Sequence, residues 1–267
     1  MNKNKTKSRF LPYEADYDLL DKWRLVGIIL LYIVTILSIL NPIISSTYKS
    51  YSLLCNILGF TSYISIISYY IVNIVTEIFL YPATARLRRI DLIDNSLGSK
   101  FLGKKSENYF TNDSIRPGAY KMAVNCFENC YFTYNIGRGM NKTIILKNVI
   151  FSSVFLFAAY MGLKENLIAL PILQILLSSL FMNELIHHLN FVAKLNILLE
   201  KFRWFFMEIM NNKLNLDDLQ HPTLLLLEYE TTLAYNKSPL SNKVYKKLKE
   251  KLGTEWEELK RYYEIIK

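Results

Sequence analysis

Glycine, proline and cysteine are scarce in this sequence. Its 267 residues include nine glycines, seven prolines and three cysteines. So few glycines and prolines argue against a chain made of many short strands and turns. An odd number of cysteines without paired spacing argues against a disulfide scaffold. The composition therefore predicts an all-α protein that is not held together by disulfides.

The sequence also lacks the short motifs of the common enzyme classes. G-x-S-x-G, H-E-x-x-H, the P-loop and G-x-G-x-x-G are all absent. The adjacent His187 and His188 point to different faces of one helix. Their spacing relative to Cys126 and Cys130 matches no zinc pattern. We therefore predict that the protein is not an enzyme and has no catalytic residue, metal site or cofactor.

Long apolar runs are present instead. Residues 25–48 and 50–76 carry no charge, and two further apolar segments follow at 144–163 and 166–183. A helix needs about 20 apolar residues to cross a hydrocarbon core of about 30 Å. The first run is too long for a signal peptide and has no small-residue cleavage site. The sequence therefore predicts a polytopic membrane protein with four transmembrane helices in two hairpins.

The positions of the charges predict the topology. Nearly all lysines and arginines lie in residues 1–24, 82–143 and 185–267, and the two short turns between spans carry one each, Lys49 and Lys164. Under the positive-inside rule both termini are cytoplasmic. The predicted segments are a cytosolic N-terminal segment (1–24), transmembrane hairpin 1 (25–81), a basic cytosolic module (82–143), transmembrane hairpin 2 (144–184) and a helical cytosolic C-terminal region (185–267).

The C-terminal region divides into short helices in this prediction. An apolar periodicity without a breaker runs from residue 184 to 211, so the fourth span continues into the cytosol. Pro222, Pro239 and Gly253 separate the helices that follow, and Ser241 is the expected N-cap of one of them.

The second predicted span continues into the cytosol as a helix that Asn95 and Gly98 stop.

A polar stripe follows one face of this span. Its members, with the acid at its cytosolic end, are Ser62, Ser65, Tyr69, Asn73, Thr76 and Glu77. Hydrocarbon offers no hydrogen-bond partner, so the stripe faces either other helices or water. It is therefore a packing seam or a pore lining. Glu77 and Glu184 lie at comparable depth near the cytosolic ends of the second and fourth spans. They mark a pore mouth or ion pathway, or they anchor the interface, or they pair with Lys147 or Arg86.

A pore lining has a consequence for assembly. One protomer of four helices is too thin to enclose a water-filled path. Conduction therefore requires a homo-oligomer, with closed cyclic symmetry as the default and a tetramer favoured.

Basic and aromatic residues alternate within the module 82–143. Cations that bind phosphates and rings that stack on bases are the two parts of a single-stranded nucleic-acid or nucleotide site. Alternatively, the cations set the topology and bind lipid headgroups while the rings form a core. The predicted ligand-binding residues are Arg86, Arg88, Arg89, Lys104, Lys105, Arg116, Lys121 and Arg138.

The span order, the basic cytosolic module and the absence of enzyme motifs together resemble a family of bacterial antiphage-defence effectors. These are four-transmembrane membrane effectors paired with a nucleotidyltransferase, the Hailong-type effectors. The resemblance lies in the architecture of the whole chain. It implies an oligomeric ion channel of the bacterial inner membrane that is gated by a nucleotide or oligonucleotide from the partner nucleotidyltransferase. Opening would depolarise the infected cell.

Two other functions compete with this prediction. The first is a non-conducting membrane scaffold that recruits a soluble partner through its cytosolic helices, with the segments LEYETTLAYNKSPL and TEWEELKRYY as docking surfaces. The second is a small secondary transporter. It is disfavoured because the sequence has no strong inverted repeat and no pair of glycine-broken spans.

Overall fold

The protein is all-helical, as the composition predicts. A computed structural model describes residues 10–47, 52–104, 106–107, 109–110, 112–163, 183–211, 213–214, 219–236 and 240–265. The chain forms two compact units, Met1–Thr111 and Asn112–Lys267. Their boundary falls inside the segment 82–143 that the sequence analysis treated as one module.

The first unit consists of two long helical rods. The first rod is α1, Glu14–Thr47. The second begins with α2, Ser52–Ile74, continues through a π-helical turn, Val75–Leu80, and ends with α3, Tyr81–Leu97. Gly98 ends α3 with a left-handed φ of 76°, which glycine adopts without a steric penalty. The predicted extension of the second span, stopped near Gly98, is confirmed.

The two rods pack closely, yet much of their apolar surface is exposed. A Cβ atom added to Gly27 of α1 would lie 3.5 Å from Val72 Cγ1 of α2, an ordinary van der Waals distance, so the two helices are in contact at this point. Leu53, Phe60 and Tyr63 are 73, 67 and 70% exposed. Among the described residues, one helix, Leu53–Leu97, is long and apolar enough to cross a membrane. The most apolar 18-residue stretch of this helix has a mean hydropathy of 1.6, and 17% of the residues in that stretch are buried.

Four helices pack as a bundle in the described part of the second unit. They are α4, Ala119–Leu163; α5, Asn183–Met210; α6, Gln220–Asn236; and α7, Asn242–Tyr262. The predicted third span, 144–163, is the continuation of α4, so a single 45-residue helix joins it to the preceding polar segment. The predicted fourth span, 166–183, lies outside the described residues except for Asn183, the first residue of α5.

Side-chain contacts fix the direction of each helix in the bundle. Along α4, Cys130 lies beside Leu195 of α5, with its sulfur 3.8 Å from the carbonyl oxygen. His188 of α5 contacts Asn141 of α4 at 2.9 Å. Residue numbers fall along α5 as they rise along α4, so the two helices are antiparallel. Tyr131–Glu255 (2.6 Å) and the approach of Gly139 to Val244 make α7 antiparallel to α4. Asn190–Asn236 (3.2 Å) and Lys201–Glu228 (2.6 Å) make α6 antiparallel to α5. Helix α6 is therefore parallel to α4, which it contacts at Thr133–Tyr229 (3.2 Å).

Aromatic side chains fill the centre of the bundle. Phe127 of α4 stacks on Phe202 and Phe206 of α5, with ring centroids 5.5 and 5.3 Å apart. Trp256 of α7 meets Phe127 edge-on at 5.2 Å. Each ring buries about 150–250 Å², so these four residues dominate the core energetics.

Of the predictions for the C-terminal helices, one is confirmed and one is wrong. Ser241 caps α7, since its hydroxyl accepts a hydrogen bond from the Val244 amide at 3.3 Å, and this prediction is confirmed. The predicted break at Gly253 is wrong, because α7 continues through it. A glycine in a helix costs only about 1 kcal/mol. Burial of Leu252 and Trp256 on either side outweighs that cost. Pro239 lies outside the described residues.

Candidate functional site

An ion pair joins the two rods where the charged end of α1 gives way to its apolar run. Arg24 of α1 lies 3.4 Å from Glu77, nitrogen to oxygen, and their side chains are 20 and 32% exposed. The Arg24 guanidinium also lies over the Tyr81 ring, 5.6 Å from its centroid. The partner of Glu77 in this pair is thus Arg24, which differs from the predicted partners Lys147 and Arg86.

Glu77 lies inside the π-helical turn, Val75–Leu80. A π-turn inserts an extra residue into the helix and often occurs at functional sites. Here it changes the face that the following residues present, so the polar stripe cannot continue past Thr76 at simple helical spacing. The sequence gives no local signal for this turn, because its residues also suit an ordinary α-helix.

The polar stripe is partly buried within the first unit. Ser65 and Thr76 are 7 and 2% exposed, and the Thr76 hydroxyl donates to the Val72 carbonyl oxygen at 2.7 Å. Ser62, Tyr69 and Glu77 are half-buried, whereas Asn73 is exposed. Ser65 and Thr76 thus lie on the same side of α2 as Val72, which packs against Gly27. Assignment of these six residues to a pore lining stays a prediction.

The carboxylate of Asp94 organises the loop that follows α3. It accepts hydrogen bonds from the Ser99 hydroxyl at 2.6 Å and from the amides of Phe101 and Leu102 at 3.0 and 2.8 Å. Bonds to an ionised acceptor are the strong ones in proteins. Gly98 and Gly103 turn the chain at positive φ values of 76° and 71°. A buried acid thereby holds the loop 98–104 in one conformation.

This loop presents two lysines and an aromatic ring to solvent. Phe101 is 77% exposed, and the lysines that flank it, Lys100 and Lys104, are exposed as well. A cavity of about 300 Å³ is lined by Asp94, Lys100, Gly103 and Lys104. That volume is at the lower end of the range for small-molecule sites. Cations beside an uncovered ring are the parts that a nucleotide site needs.

The predicted ligand-binding residues are distributed over both units. Arg86 is exposed on α3, Arg88 and Arg89 are half-buried there, and Lys104 is in the loop just described. The remaining described members belong to the second unit: Arg116 and Arg138, both exposed, and Lys121, which is 5% exposed. Lys105 lies outside the described residues. The structure therefore brings Lys104 together with Lys100, and it buries Lys121 among the helices of the bundle.

Three aromatic residues of the segment 82–143 are buried in cores, and four more, Tyr109, Tyr120, Phe132 and Tyr134, are half-buried. Phe110 and Phe127 are 5 and 0% exposed, and Tyr131 is 7% exposed with its hydroxyl bonded to Glu255. These rings are not free to stack on a base. Lys100 and Phe101, which the sequence analysis did not place among the site residues, make the more accessible pair. The glycines at 98 and 103, which mark an exposed turn, are the signal that identifies them.

A second buried acid lies one helical turn before Asp94. Asp91 is 1% exposed, and its Oδ1 accepts the Ser106 amide at 3.3 Å. Its Oδ2 is buried without a hydrogen-bond partner among the described residues, as are the hydroxyls of Tyr13 and Ser106. Burial raises the pKa of the Asp91 carboxyl, and the nearby hydroxyls offset this only in part. Asp91 thus holds Ser106, which follows the loop 98–104, against α3. The cost is the burial of a carboxylate charge.

The histidines have packing contacts. His188 is 2% exposed, with Nε2 2.9 Å from Asn141 Oδ1 and 3.2 Å from the Gly137 carbonyl oxygen, so this nitrogen carries the proton. His187 faces the Tyr235 ring, 6.3 Å between centroids, and points away from His188, as the adjacency predicts. In the parts of the chain that the structure describes, no three His, Cys, Asp or Glu side chains come together as a metal site.

Comparison with known proteins adds no relative. No protein-family model, no curated protein and no solved structure matches this chain.

Proposed function

We propose that this chain is the protomer of an oligomeric, ligand-gated pore in the bacterial inner membrane. In this proposal four helices span the bilayer in two hairpins, both termini are cytoplasmic, and a nucleotide or oligonucleotide from a partner nucleotidyltransferase binds the cytosolic face. Opening would dissipate the membrane potential during antiphage defence. The observation that carries the proposal is the uncovered apolar surface of α1 and α2.

That surface is too large for a monomer in water. Apolar side chains are exposed along most of α2 and into the π-helical turn, from Leu53 to Phe79, which is 64% exposed. Contiguous exposed apolar patches beyond a few hundred Å² mark contact with a membrane or another protein. On the facing side of the hairpin, Arg24 and Glu77 end the apolar zone with a charged pair. A position of the apolar surface in the hydrocarbon core, with lipid headgroups at the level of Arg24, accounts for both the exposed apolar side chains and the charged pair.

The step from a membrane protein to a pore depends on the polar residues of α2. Asn73 is exposed on a helix whose other exposed side chains are mostly apolar. A polar side chain at membrane depth faces a partner helix or water. A second protomer or a shared aqueous path would supply that contact, and both require the predicted homo-oligomer.

The ligand site in this proposal is the loop 98–104. Phe101 offers an exposed stacking face, whereas the other described rings of the segment 82–143 are half-buried or buried. Lys100 and Lys104 offer phosphate contacts. The Asp94 carboxylate fixes the loop before any ligand arrives, which lowers the entropy cost of binding.

Ion flux from liposomes containing the purified full chain tests the proposal. We expect flux that a short oligonucleotide or a cyclic nucleotide switches in either direction. In Lys100→Glu/Lys104→Glu, we expect flux without nucleotide to persist and the nucleotide effect to be lost. The matched control is Lys249→Glu/Lys251→Glu, the same charge change at two exposed positions of α7. An unchanged nucleotide response in the loop variant would place the ligand elsewhere.

A non-conducting scaffold is the second candidate, and one surface favours it. Trp204 and Ile197 of α5 are 49 and 60% exposed beside a shallow cavity that also includes Glu200 and Lys201. An exposed tryptophan next to an aliphatic side chain is typical of a protein-docking patch. No flux under any condition, from protein shown to be inserted and oligomeric, would favour the scaffold over the pore.

A further inference from the structure

The first turns of α7 carry a dense group of exposed lysines. Lys243, Lys246 and Lys247, which we call the lysine cluster, are all exposed, whereas Val244 and Leu248 on the same turns are half-buried. Residues 242–254 contain one acid, Glu250. Among the described acidic side chains, none pairs with these three lysines. The cluster is therefore a strongly positive surface that the bundle itself does not neutralise.

The second half of α7 carries acids as well as bases. Glu255, Glu257 and Glu258 follow within two turns. Of these, Glu255 accepts from the Tyr131 hydroxyl at 2.6 Å, and Glu257 pairs with Lys260 at 2.7 Å. The second half of α7 is thus mixed in charge, because its last turn carries Lys260 and Arg261, whereas residues 242–248 carry lysines as their only charged residues.

The structure shows which end of the bundle the cluster occupies. The Ser241 amide, at the start of α7, lies 3.2 Å from the Met140 sulfur of α4. A Cβ atom added to Gly139 would lie 3.0 Å from Val244 Cγ1 and 3.3 Å from Leu248 Cδ1. The first turns of α7 are therefore fixed against residues 139–140 of α4.

That position is next to the predicted membrane boundary. The apolar run 144–163 begins four residues after Met140, which is about 6 Å along a helix. The headgroup layer is itself roughly 5–8 Å thick on each side of the hydrocarbon. The aliphatic stems of the lysines carry their charges further towards the headgroups. The lysine cluster therefore lies within about one Debye length, 8–10 Å, of the membrane surface.

Other residues at this end of the bundle strengthen the positive field. Arg138 and Lys142 are exposed on neighbouring turns of α4. The N-terminus of α7 itself points toward the boundary, and the positive end of its helix dipole adds to the attraction for anions.

We propose that Lys243, Lys246 and Lys247 bind the anionic phospholipid headgroups of the inner leaflet and hold the first turns of α7 against the membrane surface. This inference depends on the proposed function only in requiring that α4 enter the bilayer at about residue 144. It commits to lipid because the cluster lies at the membrane end of the bundle, and because the ring within these turns, Tyr245, is half-buried and so offers a base little stacking surface.

Amine footprinting of the full chain in nanodiscs tests the inference. Nanodiscs of phosphatidylcholine alone are compared with nanodiscs that also contain phosphatidylglycerol, and acetylation of each lysine is measured by mass spectrometry. We expect acetylation of the lysine cluster to fall about fivefold in the anionic nanodiscs, which corresponds to roughly 1 kcal/mol per lysine at the surface. High salt should restore it, while Lys213 changes little.

A pair of matched variants separates lipid binding from helix stability. Lys243→Gln/Lys246→Gln/Lys247→Gln removes the cluster, and Lys249→Gln/Lys251→Gln/Arg261→Gln removes the same charge from the rest of α7. We expect faster amide exchange in the first turns of α7 for the first variant only, and only in anionic nanodiscs. In phosphatidylcholine nanodiscs both variants should exchange like the parent.

Three results would overturn the inference. Equal acetylation of the cluster in both nanodiscs would show that the lysines do not contact lipid. Protection by a short oligonucleotide, without any dependence on phosphatidylglycerol, would assign the cluster to nucleic acid instead. Extraction of the parent chain from membranes by alkaline carbonate would overturn the proposed function together with the inference. If the protein resists carbonate extraction, either of the first two results overturns the inference alone and leaves the pore proposal standing.

Discussion

Arg24 and Glu77 form an ion pair across the first helix hairpin, with 3.4 Å between guanidinium nitrogen and carboxylate oxygen. The Arg24 guanidinium also lies over the Tyr81 ring, 5.6 Å from its centroid. The pair fixes the register between α1 and the rod that follows it, at the point where the uncharged surface of α1 begins.

Removal of one partner should weaken the hairpin. Glu77→Ala is expected to lower the free energy of unfolding by about 1 kcal/mol, because both side chains are partly exposed and such pairs contribute little more than that. The charge swap Arg24→Glu/Glu77→Arg should restore most of the loss. Thermal unfolding in detergent micelles measures both effects, with Glu258→Ala on α7 as an exposed control.

The same variants bear on the pore. If Glu77 lies at the mouth of an ion path, the charge swap should restore stability but still change ion selectivity in liposomes. Selectivity that is unchanged in both Glu77→Ala and the swap would remove Glu77 from the predicted pathway.

Asp94 should control the order of the loop 98–104. Asp94→Ala removes three hydrogen bonds, two of them from backbone amides to a carboxylate. We expect amide exchange at Phe101 and Leu102 to accelerate at least tenfold, since each charge-assisted bond contributes about 1.5–3 kcal/mol. Helix α4 in the other unit should be unaffected. Unchanged exchange at residues 101 and 102 would contradict the assignment of Asp94 as the group that orders the loop.

The Asp91 carboxyl should make the first unit less stable at neutral pH than at mildly acidic pH. Burial raises its pKa above the ordinary 3.8, so the folded state binds the proton more tightly than the unfolded state. Stability therefore rises as the pH falls from the raised pKa toward 3.8. Asp91→Asn should increase stability at neutral pH and remove this slope. Amide exchange at Ser106, measured across this pH range, reports the effect.

Asp94 provides the control for that measurement, because its carboxylate is fully hydrogen-bonded where Asp91 Oδ2 is not. Asp94→Asn should therefore destabilise the loop at neutral pH. Stabilisation by Asp94→Asn, or loss of stability in Asp91→Asn, would reverse the roles assigned to the two acids.

Two helical glycines should respond oppositely to alanine. Gly253→Ala should raise the free energy of unfolding by about 0.5–1 kcal/mol, because nothing lies within 4 Å of the added Cβ. Gly139→Ala places its Cβ 3.0 Å from Val244 Cγ1 on a stiff β-branched side chain, so overpacking should cancel that gain or exceed it. Thermal unfolding of the two variants makes the comparison, and equal gains would contradict the close approach of α7 to α4.

Local features of the sequence were sufficient to predict some boundaries. Gly98 ends the second rod and Ser241 caps α7, because left-handed backbone and an N-cap hydroxyl depend only on the residues at that point. The uninterrupted helix α5 followed equally from its apolar periodicity.

Features that depend on distant residues could not be predicted in this way. Gly253 resembles a helix end in the sequence but lies inside α7, because Trp256 packs on Phe127 more than a hundred residues away in the chain. Likewise, the partner of Glu77 is Arg24, 53 residues earlier, which no local pattern indicates.

The sequence by itself determined the helical class, the apolar runs and the concentration of positive charge, since each is a property of composition and local periodicity. Tertiary structure decided which polar and aromatic residues remain accessible. Phe127 and Lys121 are buried, Phe101 is exposed, and the lysine cluster lies at the end of the bundle where the apolar run begins. The physical reason is that burial depends on which helices pack together, and that packing arises from contacts between residues far apart in the chain.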